Sequence, residues 1–197
     1  MVRFLFVAAI LAMNEGKNVR FVPTNLEGAM LLEIEPARDQ RGFFARTFCE
    51  REFAEHGLET RFVQHSISQT STKGSIRGMH FQQGAASEVK VVSCKRGRIL
   101  DVIIDLRQDS PTYGRWQGFE LTADARNSLY IPKGFAHGFQ TLTDDVEVHY
   151  LISAFYMPEA SAGYRHDDPA FSIAWPLPVS SISDKDRSWP DFADLRQ

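Results

Sequence analysis

Short runs rich in Val, Ile, Phe and Tyr follow one another along most of the chain, and Gly, Pro, Asp and Asn separate them. Apolar and polar residues alternate within several runs, which is the period of a half-buried β-strand. The pattern predicts strands at GAMLLEIEP (28–36), FFARTFC (43–49), RFVQHSISQ (61–69), IRGMHFQ (76–82), EVKVVSCKRG (88–97), RILDVIIDLR (98–107), WQGFELT (116–122), SLYIPKGFAHGFQTL (128–142) and VEVHYLISAFY (146–156).

Helical signals are few. EREFAEHGL (50–58) predicts one short helix that ends at Gly57, and ARDQRG (37–42) predicts a turn. Many short strands with regular turns indicate an all-β fold, a jelly-roll barrel or sandwich with short peripheral helices. We expect one domain over residues 19–197, with an irregular C-terminal segment from residue 158 wrapping the barrel.

The alternation also assigns side chains to faces of the strands. His80 and Gln82 share a face, Lys90 shares one with Glu88, and Tyr150 interrupts an otherwise apolar face. Asp101 shares a face with Ile103 and Asp105; were these faces to point inward, the barrel would contain an imidazole, an ammonium, a carboxylate and a phenol. Burying unpaired polar groups costs several kcal/mol each. The pattern therefore predicts an open cavity that holds a polar ligand.

Composition narrows the functional classes. The 197 residues carry a formal charge of −3 without a basic tract, which argues against nucleic-acid binding. Cys49 and Cys94 form no metal-binding or disulfide pattern, as is typical of a cytoplasmic protein. The apolar FLFVAAILAM (4–13) is too short to span a membrane. We treat residues 1–18 as an N-terminal extension, either an extra strand or an over-long start, with a cleaved signal peptide as the minority alternative.

Two chemistries compete for the polar residues. His80, His137 and Glu88 could ligate a metal, but Lys90 beside them would repel a cation, so we expect none. In the second, His80 acts as a base and Tyr150 as an acid, while Lys90 or Arg77 stabilises an oxyanion. A pocket that binds a ligand without catalysis is a third possibility. His137 lies between two glycines, and the spacing of these residues alone does not decide whether its ring packs in the core or lines the cavity.

Several long motifs together resemble the dTDP-4-dehydrorhamnose 3,5-epimerase family. They are RGFFARTF (41–48), IRGMHFQ, EVKVVSCKRGRILDVIIDLRQDSPTYGRW (88–116), IPKGFAHGFQTL (131–142) and DKD (184–186), and the likeness spans about Val19 to Trp189. The resemblance implies a cupin-type jelly-roll homodimer. It also implies an isomerase without metal or organic cofactor, acting on a nucleotide-linked 4-keto-6-deoxyhexose.

The resemblance also assigns roles to individual residues. It implies His80 as the catalytic base, Asp186 as the carboxylate paired with it, Tyr150 as the proton donor and Lys90 as the group beside the keto oxygen. Without it, Asp186 could not be chosen over Asp101 or Asp168. The implied substrate-binding and supporting residues are Arg41, Phe44, Arg46, Gln64, Ser66, Arg77, Asp101, His137 and Lys185.

The sequence departs from the family pattern outside the four implied catalytic residues. Arg46 stands where many members have glutamate, and Ser66 where asparagine is common. Ser161, His166 and Phe155 replace a glutamate, a tryptophan and a frequent tyrosine. These differences leave open which nucleotide carries the sugar and whether C3, C5 or both are inverted.

Overall fold

The computed structural model describes residues 19–192, which form two antiparallel sheets, a hairpin and two short helices. The strands are β1 (Val19–Pro23), β2 (Met30–Ile34), β3 (Ala37–Asp39), β4 (Gly42–Phe44), β5 (Gln64–Thr70), β6 (Ile76–Gln82), β7 (Lys90–Arg96), β8 (Arg98–Asp105), β9 (Trp116–Thr122), β10 (Ser128–Ile131), β11 (Phe135–Thr141), β12 (Val146–Ile152) and β13 (Ser161–Gly163). The helices are α1 (Glu50–Glu55) and α2 (Asp184–Arg187).

The sheets have six and five strands. The first has the order β1-β2-β10-β7-β12-β5, the second β13-β6-β11-β8-β9, and β3 pairs with β4 in a separate hairpin. The main core lies between the two sheets, where Val92 and Val148 of one sheet pack with Ile103 and Phe139 of the other. The prediction of an all-β fold with short helices is confirmed.

Two further apolar clusters cover the outer faces of the sheets. Phe53 of α1 packs with Val91 and Tyr130 on the six-stranded sheet. On the five-stranded sheet, Phe171 of the C-terminal segment packs against Val102. The assignment of residues 19–197 to a single domain stays a prediction.

Some predicted elements differ from the observed ones. The run 128–142 is two strands, because Pro132 lacks a backbone N–H and Gly134 has a φ of +79°, which together turn the chain. The predicted turn at 37–42 contains β3, and only Phe43 and Phe44 of the predicted strand 43–49 lie in β4. The sequence pattern missed β1 and β13, whereas Gly57 follows α1 with a φ of +68°, as predicted.

The first eighteen residues, including the apolar run 4–13, lie outside the described part of the chain. Within residues 19–192, no helix is long and apolar enough to cross a membrane.

Two glycines allow β6 and β11 to approach each other closely. A Cβ on Gly78 would lie 2.4 Å from Cα of Gly138, and one on Gly138 would lie 2.6 Å from Sδ of Met79. The register pairs His80 with His137 and shifts immediately afterwards. Because neither glycine has a side chain, the two strands can pair closely, and His80 and His137 lie side by side in one sheet.

We expect Gly78→Ala to lower the free energy of unfolding by about 1–3 kcal/mol or more, because the new methyl group overlaps backbone atoms of β11. Gly42→Ala is a matched control: its φ of +134° is nearly the same as the +133° of Gly78, but no atom lies within 4 Å of the added Cβ. Denaturant unfolding of both variants separates the overlap from backbone strain. Equal losses would show that strain alone accounts for the effect.

Candidate active site

A cavity of about 700 Å³ opens between the two sheets. Strands β6 and β11 of the five-stranded sheet form one side, and β5, β7 and β12 of the six-stranded sheet form the other; α2 lies at the edge. The predicted site residues that line it are Gln64, Ser66, Arg77, His80, Lys90, His137, Tyr150, Lys185 and Asp186. Asp101 lies behind the cavity wall, where it binds His137.

His80 and Asp186 form a hydrogen-bonded pair at this edge. Nε2 of His80 lies 2.6 Å from Oδ1 of Asp186, and the other carboxylate oxygen accepts the Gly78 N–H at 3.2 Å. Ser183 caps α2 by accepting the Asp186 N–H at 3.1 Å, which fixes the backbone of that residue. Burial alone would raise the pKa of Asp186, but the hydrogen bonds from His80, Gly78 and Ser183 outweigh it and hold the pKa below its ordinary value. Asp186 is therefore an ionised partner that can orient and stabilise a protonated imidazole.

Tyr150 approaches the cavity from the opposite sheet. Its hydroxyl lies 3.0 Å from Oγ of Ser68. Burial raises the pKa of Tyr150 to about 12. The phenol is therefore neutral near pH 7 and carries a proton that it can donate.

Two more pairs of a basic and an acidic side chain lie along the cavity wall. Nζ of Lys90 lies 2.8 Å from Oε1 of Glu88, with 14% and 6% of the two side chains exposed. Nε2 of His137 lies 2.9 Å from Oδ2 of Asp101, and both side chains are buried. Burial raises the pKa of Asp101 against the opposing effects of His137 and Lys90.

The cavity mouth is rich in positive charge. Arg77 binds the Thr70 hydroxyl at 2.9 Å and the Gln69 carbonyl at 3.0 Å, and Nζ of Lys185 lies 5.2 Å from the ring centroid of Trp189. No ion pair to a carboxylate is recorded for either cation within the described part of the chain. Their charges are therefore available to an anionic ligand.

Three predicted substrate-binding residues do not line the cavity. Arg41 binds Asp39 within the β3–β4 hairpin, and Phe44 at its end is 69% exposed. Arg46 lies 3.3 Å from Glu52 of α1. The hairpin and the residues that follow it leave these side chains outside the cavity of their own chain.

The metal alternative has no ligand set in the structure. Among residues 19–192, no group of three or more His, Cys, Asp and Glu side chains is placed to hold a metal ion. Nε2 of His80 and of His137 each contact a carboxylate, and Glu88 contacts Lys90.

Comparison with known proteins agrees with the geometry of the cavity. The family model described as dTDP-4-dehydrorhamnose 3,5-epimerase matches residues 23–194. The chain belongs to this family. The dTDP-4-dehydrorhamnose 3,5-epimerase of Methanothermobacter thermautotrophicus is 46% identical over 173 residues, which cover 86% of this chain and 92% of that protein.

Solved structures of this epimerase family superimpose closely. The Elizabethkingia anophelis enzyme is 36% identical with a TM-score of 0.87, and the match covers 92% of this chain and all of that one. The Legionella pneumophila enzyme, solved with dTDP-4-keto-L-rhamnose, is 34% identical with a TM-score of 0.81, and the match covers 87% and 91% of the two chains. The predicted cupin-type fold and the assignment to the carbohydrate epimerases are confirmed.

The residues that depart from the epimerase pattern lie in different places. Ser66 and Ser161 line the cavity, whereas His166 lines a separate cleft with Arg165 and Arg187. Phe155 is 65% exposed on the segment after β12. Of these five departures, only the two serines therefore line the cavity.

Some residues that line the cavity are not predicted from the sequence pattern. Ser68 is one of them, although it lies two positions after Ser66 in β5 and therefore on the same face. Tyr156 lines the mouth beyond the end of β12, where strand alternation no longer applies. Its backbone N–H donates to Oε1 of Gln64 at 2.7 Å, a contact that only the folded chain reveals.

We expect Asp186→Asn to lower the free energy of unfolding at pH 7 by about 1–3 kcal/mol, because the ionised acceptor of a buried hydrogen bond is lost. The folded-state pKa of Asp186 lies below its ordinary value of 3.8. Its stabilisation is therefore present above pH 3.8 and is lost as the pH falls through the folded-state pKa.

Urea unfolding of the wild type and the variant from pH 7 to pH 3 measures this dependence. The exposed Asp184→Asn, in the same helix, is the control. A difference between wild type and Asp186→Asn that stays constant or grows below pH 3.8 would contradict the role given to the carboxylate.

Proposed function

We propose that this protein converts dTDP-4-dehydro-6-deoxyglucose to dTDP-4-dehydrorhamnose by proton transfer at C3 and C5 of the sugar. One observation carries the proposal: a histidine–carboxylate pair and a neutral phenol line the same cavity from opposite sheets. Inversion at carbon requires a base on one side of the ring and an acid on the other. Family membership and the dTDP-sugar bound by the Legionella relative support the choice of substrate.

The ketone at C4 acidifies the protons on C3 and C5, and His80 takes one of them. Its Nε2 binds Asp186, so Nδ1 is the nitrogen that faces the substrate. The side chain is 42% exposed and accessible from the cavity. General acid–base catalysis of this kind contributes about 10²–10⁴-fold per group.

Loss of the proton leaves an enolate whose charge develops on the C4 oxygen. Lys90 is the cation on the cavity wall that we assign to this oxygen, an interaction typically worth roughly 3–4 kcal/mol. Tyr150 then delivers a proton to the opposite face of the carbon, which completes the inversion. Arg77 and Lys185 at the mouth suit the diphosphate of the nucleotide.

We expect His80→Ala to abolish uptake of solvent deuterium at C3 and C5, because no base remains to remove the protons. Tyr150→Phe should slow inversion more than exchange, since proton removal still occurs. NMR and mass spectrometry of dTDP-4-dehydro-6-deoxyglucose incubated in D₂O measure both, and they show which carbons react.

His149→Ala is a control, because this imidazole lies near His65 and does not line the cavity. Exchange that persists in His80→Ala would remove His80 as the base. Equal losses of exchange and inversion in Tyr150→Phe would remove it as the distal acid. Binding of the sugar nucleotide without any deuterium uptake by the wild type would contradict an enzymatic function and favour a binding protein.

We also propose that the protein is a homodimer in which the β3–β4 hairpin reaches the cavity of the partner. The resemblance assigns Arg41 and Phe44 to the substrate, yet both are exposed and neither lines the cavity of its own chain. A two-fold dimer exchanges such elements reciprocally, so each site would contain residues of both chains.

We expect a mixture of two inactive variants, Arg41→Ala and His80→Ala, to regain about a quarter of wild-type activity after joint unfolding and refolding, because half of the dimers would contain one intact site. Each variant refolded alone is the control, and light scattering gives the mass. No recovery from a mixture that contains heterodimers would place Arg41 in the site of its own chain or outside the site.

A further inference from the structure

Glu88 is a buried carboxylate for which the proposed proton transfers have no use. It precedes β7, is buried and lines the cavity. One oxygen contacts Nζ of Lys90 at 2.8 Å. A buried carboxylate is costly unless it is paired, so this ion pair accounts for its presence.

The second oxygen of Glu88 is held by Gln82. Nε2 of Gln82 donates to Oε2 of Glu88 at 3.1 Å and also contacts the carbonyls of Ala86 and Phe155 at 3.0 and 3.3 Å. Its Oε1 accepts the Met157 N–H at 2.6 Å. Because that contact requires an acceptor, the amide must present its NH₂ group to Glu88. The carboxylate is therefore fixed from one side by Gln82 and satisfied from the other by Lys90.

The charge of Lys90 also reaches a second carboxyl group, Asp101. Asp101 is fully buried, and its Oδ1 has no hydrogen-bond partner in the described structure. Burial raises the pKa of Asp101, while His137 and the charge of Lys90 oppose that effect, so the ammonium acts on this carboxyl group. Asp101 does not line the cavity, whereas Glu88 does. The two carboxyl groups thus differ in position: Glu88 contacts the Lys90 ammonium at the cavity, and Asp101 lies behind it with an unpartnered oxygen.

We propose that Glu88, oriented by Gln82, is a positioning residue that holds the Lys90 ammonium at the cavity surface and away from Asp101. A lysine ammonium has three N–H donors. Glu88 takes one, which leaves the others to meet an oxyanion. This inference rests on the proposed function, in which Lys90 stabilises the enolate oxygen.

The test is a double-mutant cycle with Glu88→Gln and Lys90→Met. The glutamine keeps the shape of Glu88 but offers one oxygen to two donors, Lys90 and Gln82. We expect Glu88→Gln alone to lower kcat about 10- to 100-fold with KM nearly unchanged, because removal of an oxyanion donor costs about 10²–10³-fold in kcat and a misplaced donor costs part of that. In the Lys90→Met background, Glu88→Gln should have no further effect on kcat.

Glu147→Gln provides the matched control, because Glu147 also lies on the six-stranded sheet and pairs with a cation, Arg96, but does not line the cavity. It should leave kcat unchanged. Full kcat in Glu88→Gln, or an equal loss with and without Lys90, would overturn the proposal. So would a loss of kcat matched by a loss of thermal stability and a rise in KM.

Crystal structures of the wild type and of Glu88→Gln without ligand give a readout that does not depend on activity. Nζ of Lys90 should move from the cavity surface toward Oδ1 of Asp101 in the variant. An unmoved Lys90 would overturn the positioning role whatever the kinetics show. A wild type without deuterium exchange would instead refute the proposed function and leave this structural comparison to decide the role of Glu88.

Discussion

The contact between His80 and Asp186 is the constraint on which the rest of the site depends. It joins residues 106 positions apart and connects the five-stranded sheet to the C-terminal segment. The segment must place α2 at the cavity edge, Ser183 must start that helix, and Gly78 must expose its N–H to the same carboxylate. Each of these features is ordinary alone. Together they fix one imidazole nitrogen of His80 at the edge of the cavity.

The neighbouring pair of His137 and Asp101 shows why such a contact is not sufficient. Both histidines sit at the same register of β6 and β11, and both bind a carboxylate through Nε2. The His80 side chain is 42% exposed, whereas that of His137 is 6% exposed. Proton transfer to carbon needs a ring that the substrate can reach. Under the proposed mechanism, exposure therefore favours His80 as the base and leaves His137 a supporting role beside Tyr150, whose ring centroid lies 6.3 Å away.

Strand alternation predicted much of this arrangement from the sequence. His80, Lys90 and Tyr150 lie on regular strands, where every second side chain faces the cavity, so their common side could be inferred. Asp186 could not be found this way, because α2 follows an irregular segment whose path depends on packing against the outer face of the five-stranded sheet. The sequence pattern also does not predict the position of the β3–β4 hairpin, which carries Arg41 away from the cavity. Strand periodicity predicts which residues of one element share a face. The distance between residues of different elements is known only from the folded structure.

The same alternation also explains how one jelly roll contains both a core and a polar site. Val146 and Val148 of β12 are fully buried between the sheets, and Tyr150 and Ile152 continue the same face into the cavity. Along β7, Lys90 at the cavity precedes Val92 and Cys94 in the core. One end of the space between the sheets is thus filled with hydrocarbon, and its packing holds the strands in register. The polar groups at the open end each need only a local partner, Ser68 for Tyr150 and Glu88 for Lys90. They do not need to stabilise the fold themselves.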